Sequence, residues 1–171
     1  MKKRNPVTAI LFLCYGAFLV FLLFDRNPAI SELPYWEQIR SRCNFVPWQT
    51  VGNYWDVLTR PEYYMEKWGA VSVYRYQATV AAINILGNIV MFVPLGAFLP
   101  ILWPKLQKAW KAIPAGFLMI TGVEICQLFT LRGRCDIDDV LLNMLGIILG
   151  YAGWRFYQFC RKKRKKKKGG A

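Results

Sequence analysis

Four of the ten acidic residues of this chain lie in one short stretch, residues 124–143, with long apolar segments on both sides. They are Glu124, Asp136, Asp138 and Asp139, and the same stretch also holds Gln127, Arg132, Arg134 and Asn143. A carboxylate beside apolar sequence of membrane length is costly unless it is paired or used in function. The stretch therefore indicates a functional site at the end of a helical hairpin.

The chain contains no histidine, so any acid–base chemistry falls to carboxylate, lysine, tyrosine or cysteine side chains. Glu124 and Asp139 are the candidate acid or base, because burial raises the pKa of a carboxyl group. Neither a nucleophile motif nor a set of metal ligands accompanies them. The sequence thus favours a binding protein over an enzyme, and we predict no metal site and no cofactor.

The composition is that of a membrane protein. Of 171 residues, 55% are hydrophobic and 16% aromatic, and the apolar residues form long runs. The net charge of +13 could suggest a nucleic-acid partner, but the basic residues are not interleaved with a soluble fold, so we predict none. The expected fold is all-α, an integral membrane domain over residues 1–160.

Four apolar segments are long enough to cross a bilayer, since a helix rises about 1.5 Å per residue. They predict helices near residues 7–24, 79–103, 112–131 and 137–157, with a structured outer loop at 25–78. The first segment also has the basic start and apolar run of a signal peptide, but no small-residue cleavage site follows it, which favours a retained helix. In the second, Pro94 predicts a kink, and Pro100 and Pro104 predict the end of the helix.

The basic residues predict the orientation. Three short segments (2–4, 105–111 and 161–168) carry 14 of the 23 Lys and Arg residues and no acidic residue. Because such residues concentrate on the cytoplasmic side, we expect both termini in the cytoplasm and the 124–143 stretch outside. Residues 161–171 are expected to be a disordered cytoplasmic tail that binds anionic lipid headgroups.

In this orientation three helices each place two polar side chains at a similar depth near the outer face. These are Asn84 and Asn88, Glu124 and Gln127, and Asp139 and Asn143. Hydrocarbon cannot satisfy such groups, so they should face one another or a water-filled pocket. We predict that they bind a ligand together with Asp136, with Arg132 and Arg134 as the counter-charges.

Structural roles compete with this interpretation. Asp136 has the position of an N-cap for the fourth helix, and the Asn and Gln side chains could be interhelical hydrogen-bonding partners. Gly146, Gly150 and Gly153 follow Asn143 down one face, a spacing typical of close helix packing.

The outer loop is rich in aromatic residues, among which Trp48 and Trp55 are predicted to contact apolar chains or sugars at the membrane surface. Cys14 and Cys126 fall in apolar helices, where packing roles are expected. Cys43 and Cys135 are both predicted to be external, and whether they pair stays open at this stage.

Several of these segments resemble the VanZ-like family of bacterial membrane proteins. The second helix is similar to its N-x-x-x-F-x-P-x-G segment through Asn88, Phe92, Pro94 and Gly96. The hairpin is similar to its E-x-x-Q motif and to the acid-rich motif that follows, through the residues Glu124, Gln127, Asp136, Asp139, Asn143 and Gly146. The spacing of the motif's arginine is approximate, so Arg132 or Arg134 could fill that position. Residues 43–48 resemble the family's N-L-x-P-F stretch, and the likeness spans roughly residues 40–155.

The resemblance implies a multi-pass protein of the bacterial cell membrane, in a family whose founding member is linked to resistance to teicoplanin, a lipoglycopeptide antibiotic. It implies no established reaction. The leading hypothesis is a non-enzymatic envelope protein that binds a lipid-linked or glycopeptide-like ligand at the outer face, or alters access to cell-wall precursors. The alternatives are an intramembrane carboxylate-dependent enzyme and a small proton-coupled transporter.

Overall fold

The computed structural model describes residues 6–25 and 31–168 of the chain. Seven helices and a two-stranded parallel pair follow in the order α1 Pro6–Phe24, α2 Tyr35–Ser41, β1 Cys43–Asn44, α3 Gln49–Thr59, α4 Pro61–Trp68, α5 Val71–Leu102, α6 Ala109–Phe129, β2 Cys135–Asp136 and α7 Ile137–Lys168. A 3-10 turn at Pro104–Leu106 joins α5 to α6. The predicted bases at 2–4 and the last residues, 169–171, lie outside the described residues.

Four of these helices, α1, α5, α6 and α7, are long and apolar enough to cross a membrane. The prediction of an all-α membrane protein with four spans is confirmed. The three short helices α2, α3 and α4 lie in the connection between α1 and α5. Prolines mark the starts of two of them, since Pro34 precedes α2 and Pro61 occupies the first turn of α4, where its missing N–H costs nothing.

The core lies where α5 and α7 pack against each other, and glycine makes the close approach possible. A Cβ built on Gly146 would collide with the carbonyl of Ile89, and one on Gly150 with the carbonyl of Val93. From the other side, Gly96 of α5 meets the backbone of Ile147 in the same way. The predicted packing role is confirmed for Gly146 and Gly150, but is wrong for Gly153, which faces open space.

The predicted start of α5 is wrong, while its end at Leu102 lies within one residue of the predicted end at residue 103, before Pro104. Helix α5 begins at Val71, eight residues before the predicted start at residue 79. The prediction followed the uncharged run, which begins after Arg75, but a charged residue does not stop a helix. The helix also continues through Pro100 to Leu102, so that proline does not end it. A proline late in a helix removes one backbone hydrogen bond without stopping the remaining turn.

The predicted disorder of the basic tail is also wrong for residues 161–168, because α7 continues through them to Lys168. Extending an existing helix needs no new nucleus, and Lys and Arg are good helix formers. Positive charge at a helix C-terminus is also favoured by the helix dipole.

Candidate functional site

Residues 31–70, the described part of the connection between α1 and α5, fold back onto the α6–α7 turn, residues 130–136, at one end of the helix bundle. We call this the hairpin end. Strand β1 pairs with β2 there, with Cys43 opposite Cys135 and Asn44 opposite Asp136. The guanidinium of Arg42 donates to the carbonyl of Leu131 at 2.9 Å. The loop is therefore packed directly against the hairpin and forms one wall of the hairpin end.

Asp138 anchors this wall. Its side chain is fully buried and accepts hydrogen bonds from the backbone N–H groups of Trp48 at 2.6 Å, Thr50 at 2.8 Å and Val51 at 3.0 Å. These donors open α3, whose own N-cap residue, Trp48, supplies no side-chain cap and has φ of 66°. Asp138 is thus a helix cap supplied from a distant part of the chain.

Asp136 is also held by structural contacts. Its Oδ1 accepts the backbone N–H of Asp138 at 2.9 Å, which confirms the predicted N-cap of α7. Its Oδ2 accepts the hydroxyl of Thr50 at 2.6 Å and the amide of Asn44 at 3.2 Å. One carboxylate therefore caps α7 and ties the loop to it.

Two further polar side chains bind the end of α1. Gln127 donates to the carbonyl of Leu23 at 2.9 Å, and Arg132 donates to the carbonyl of Phe24. The last carbonyls of a helix have no hydrogen-bonding partner within the helix. In apolar surroundings an unsatisfied carbonyl costs several kcal/mol of free energy, and these two bonds remove that cost.

A polar cavity of about 110 Å³ remains beneath the loop. The residues that line it are Leu23, Thr50, Tyr54, Asn84, Asn88, Glu124, Gln127, Gly133, Arg134, Asp136, Asp139 and Asn143. Eight of the nine residues predicted to bind a ligand are among them. The exception is Arg132, which is turned toward α1.

Inside the cavity, α5, α6 and α7 contribute facing polar groups. Asn88 of α5 donates to Oδ1 of Asp139 of α7 at 2.6 Å, while Asn84 donates to Val80 of its own helix. Glu124 and Asn143 are 4% and 2% exposed. Within the described residues, the buried Oδ1 of Asn143 has no hydrogen-bonding partner. A buried acceptor without a partner is rare, and a bound polar group would satisfy it.

Among the residues that line the polar cavity, Arg134 carries the positive charge. Its side chain is exposed, lines the cavity, and makes no hydrogen bond or ion pair with residues 6–25 or 31–168. It also lines an adjoining open polar cleft of about 420 Å³ that shares Thr50 and Tyr54 with the cavity. Arg134 therefore places a positive charge where the open cleft meets the polar cavity.

The predicted loop aromatics lie elsewhere. Trp48 and Trp55 are 65% and 63% exposed and do not line the cavity. The sequence reasoning missed Thr50 and Tyr54, the two loop residues that do. Their spacing of four on α3 places both on one face, but nothing in the sequence shows that this face meets the hairpin.

An apolar cavity of about 450 Å³ lies between α1, α5 and α6. Its lining includes Leu19, Phe24, Phe92, Leu95, Val123 and Cys126. Phe24 and Val123 are sequence neighbours of Leu23 and Glu124 in the polar cavity. The apolar cavity thus borders the same turns of α1 and α6 as the polar cavity. Across the described residues, no cluster of histidine, cysteine and acidic side chains could hold a metal ion.

The fold and the site define a multi-pass helical membrane protein with a polar cavity at one end of its bundle. The chain belongs to the VanZ/LLP1 family, whose model matches residues 9–158. No curated protein matches the chain, and no solved structure does.

Proposed function

We propose that this protein acts at the outer face of the bacterial cell membrane, where it binds an amphiphilic envelope molecule. The ligand would be a lipoglycopeptide of the teicoplanin type or a lipid-linked cell-envelope precursor. Both termini would then be cytoplasmic, and the hairpin end would face outward. Family membership supports the envelope context, and the distribution of basic residues supports the orientation.

The observation that carries the proposal is the pairing of a polar cavity with an apolar one on the same helices. The polar cavity has room for a few atoms only, since a water molecule occupies about 30 Å³ in the liquid. It suits a small polar group of a larger molecule. An acyl chain suits the apolar cavity, which opens among membrane-spanning helices, while the remaining polar part would lie in the cleft beside Arg134.

The test is expression in a sensitive host of the wild type and of Glu124→Gln, Asp139→Asn and Arg134→Ala. Membrane abundance is measured for each, with susceptibility to teicoplanin and to vancomycin, which lacks the acyl chain. We expect the wild type to reduce susceptibility to teicoplanin selectively and the variants to lose this effect at equal abundance. An unchanged susceptibility at good wild-type abundance contradicts the antibiotic role and directs the search to lipid-linked precursors.

Glu124→Gln also separates binding from proton chemistry. The amide keeps the shape of the carboxyl group but cannot transfer a proton at neutral pH. If this variant alone lost activity while Asp139→Asn and Arg134→Ala kept it, a carboxylate-dependent enzyme or a proton-coupled transporter would replace the binding function.

A further inference from the structure

Cys43 and Cys135 stand opposite each other in the two-residue parallel pair that joins the loop to the hairpin. They are direct partners in the register of β1 and β2. Neighbouring strands lie about 4.7–4.9 Å apart, and disulfide-bonded cysteines usually have Cα atoms about 4.4–6.8 Å apart. The backbone spacing at this pair is therefore within the range that a disulfide requires.

The direction of the side chains agrees with this spacing. Successive residues of a strand point to opposite faces. The next pair, Asn44 and Asp136, share one face, since the Asn44 amide donates to Asp136 at 3.2 Å. Cys43 and Cys135 therefore share the other face, and both thiols are partly exposed. In the reduced structure the Cys43 thiol donates to the carbonyl of Ile39 at 3.3 Å, a weak bond that oxidation can replace.

We propose that Cys43 and Cys135 are a reversible disulfide site that covalently locks the loop onto the hairpin. The proposal uses the outward orientation of the hairpin end, because structural disulfides form in extracytoplasmic compartments and are rare in the cytosol. It does not depend on which molecule the cavity binds.

The oxidant is a disulfide-bearing molecule, either an extracytoplasmic thiol oxidoreductase or a small disulfide. Cys43 lines the open polar cleft, so its thiolate attacks one sulfur of the oxidant and expels a thiol. The thiolate of Cys135 then attacks the Cys43 sulfur and expels the second thiol. The protein loses two protons and two electrons, and the oxidant disulfide becomes two thiols.

The electrostatics fit this order of events. Burial raises the pKa of the Cys135 thiol above its ordinary value, and nearby Cys43, Glu124 and Asp136 raise it further. A thiol with a raised pKa is a poor first nucleophile at neutral pH. Cys135 suits the second step, in which the reacting sulfur is already beside it.

The bond would shape the cavity. Thr50 and Tyr54 reach it from the loop, while Arg134 and Asp136 reach it from the hairpin. The disulfide joins these two walls at the residues next to Asn44 and Asp136. The oxidised protein would hold the cavity closed beneath the loop, and reduction would leave non-covalent contacts alone between the walls.

The experiment uses full-length protein in which Cys14, Cys126 and Cys160 are replaced by serine. Membranes from growing cells are acid-quenched and labelled with a maleimide polymer, before and after reduction, and the labels per chain are counted on a gel. We expect no label before reduction and two labels after it. Two labels before reduction would overturn the proposal.

A matched control keeps the number of thiols but removes the pair. The variant with Cys14, Cys43 and Cys160 replaced by serine retains Cys126 and Cys135, and it should carry two labels without reduction. Purified, reduced protein is also incubated with glutathione disulfide, where an internal bond in the monomer is expected for the Cys43–Cys135 form. Failure to form that bond, or formation of a cross-linked dimer instead, would contradict the proposal that Cys43 and Cys135 of one chain are close enough to pair. Neither readout uses an antibiotic, so this outcome is distinguishable from that of the susceptibility test.

Discussion

Asp138, at the start of α7, accepts the backbone N–H of Thr50, in the first turn of α3, at 2.8 Å. The two residues are 88 positions apart in the chain. The carboxylate is fully buried and receives two further backbone hydrogen bonds, so it holds an entire loop helix in place. A negative charge at a helix N-terminus is favoured both by the dipole and by the free N–H groups.

Replacing Asp138 should therefore detach the loop. Asp138→Ala leaves three partly buried donors without their acceptor, and a hydrogen bond to a charged group contributes about 1.5–3 kcal/mol. We expect a loss of at least about 3 kcal/mol in the stability of the loop, seen as rapid proteolysis of the 45–60 region in detergent. Asp138→Asn should lose less, because its amide oxygen still accepts.

The matched control for this experiment is Asp56→Ala. Asp56 forms only an exposed i,i+4 pair with Arg60 at 3.8 Å. Such pairs contribute about 0.3–0.5 kcal/mol, so proteolysis should be unchanged. Equal sensitivity of the Asp138 and Asp56 variants would contradict the capping role.

The α5–α7 interface should reject side chains at its glycines. Gly150→Ala places a methyl group against the carbonyl of Val93, which belongs to rigid backbone and cannot move aside. Overpacking of this kind costs about 1–3 kcal/mol, so the melting temperature in detergent should fall. Gly153→Ala meets open space and should be neutral or stabilising by up to about 1 kcal/mol, through the better helix propensity of alanine. A similar loss in both variants would show that glycine matters for another reason.

Substitutions of the two arginines of the hairpin, Arg132 and Arg134, should have different effects. Arg132→Ala removes the bond to the Phe24 carbonyl at the end of α1 and should destabilise the protein by about 1.5–3 kcal/mol. Arg134→Ala removes an exposed side chain and should change stability by less than about 0.5 kcal/mol. We expect Arg134→Ala to impair ligand-dependent activity at normal thermal stability, and Arg132→Ala to lower the melting temperature. The reverse pattern would place the functional cation at Arg132.

Alkylation of reduced protein tests the surroundings of Cys135. Its pKa is raised, so the thiolate forms at higher pH than in an ordinary cysteine, and less of it is present at neutral pH. In a protein that keeps only Cys43 and Cys135, the pH midpoint for iodoacetamide modification of Cys135 should lie above that of a free cysteine derivative. Adding Cys43→Ser removes one cause of the shift and should lower the midpoint. A midpoint at the ordinary value would contradict the partly buried position beside Cys43 and the two carboxylates.

The four spans and the set of polar residues at one end of the bundle were predictable from the amino-acid sequence. Both follow from local chemistry, because a bilayer requires long apolar runs and penalises polar groups within them. The N-cap at Asp136 was likewise predictable, since a cap and its helix are adjacent in the chain. The resemblance to the VanZ family also rested on local motifs and is confirmed by the match over residues 9–158.

Which of those polar residues support the fold and which line the cavity became clear from the folded structure. Asp138 acts on a helix that lies 88 residues away, and Arg132 and Arg134 have different surroundings although they are two positions apart. The same holds for Thr50 and Tyr54, which reach the cavity from the loop, and for Cys43, which meets Cys135 through strand register. Each of these relationships depends on the loop folding back over the hairpin. That docking depends on contacts between distant parts of the chain. Periodicity and composition describe local sequence, so they do not reveal such contacts.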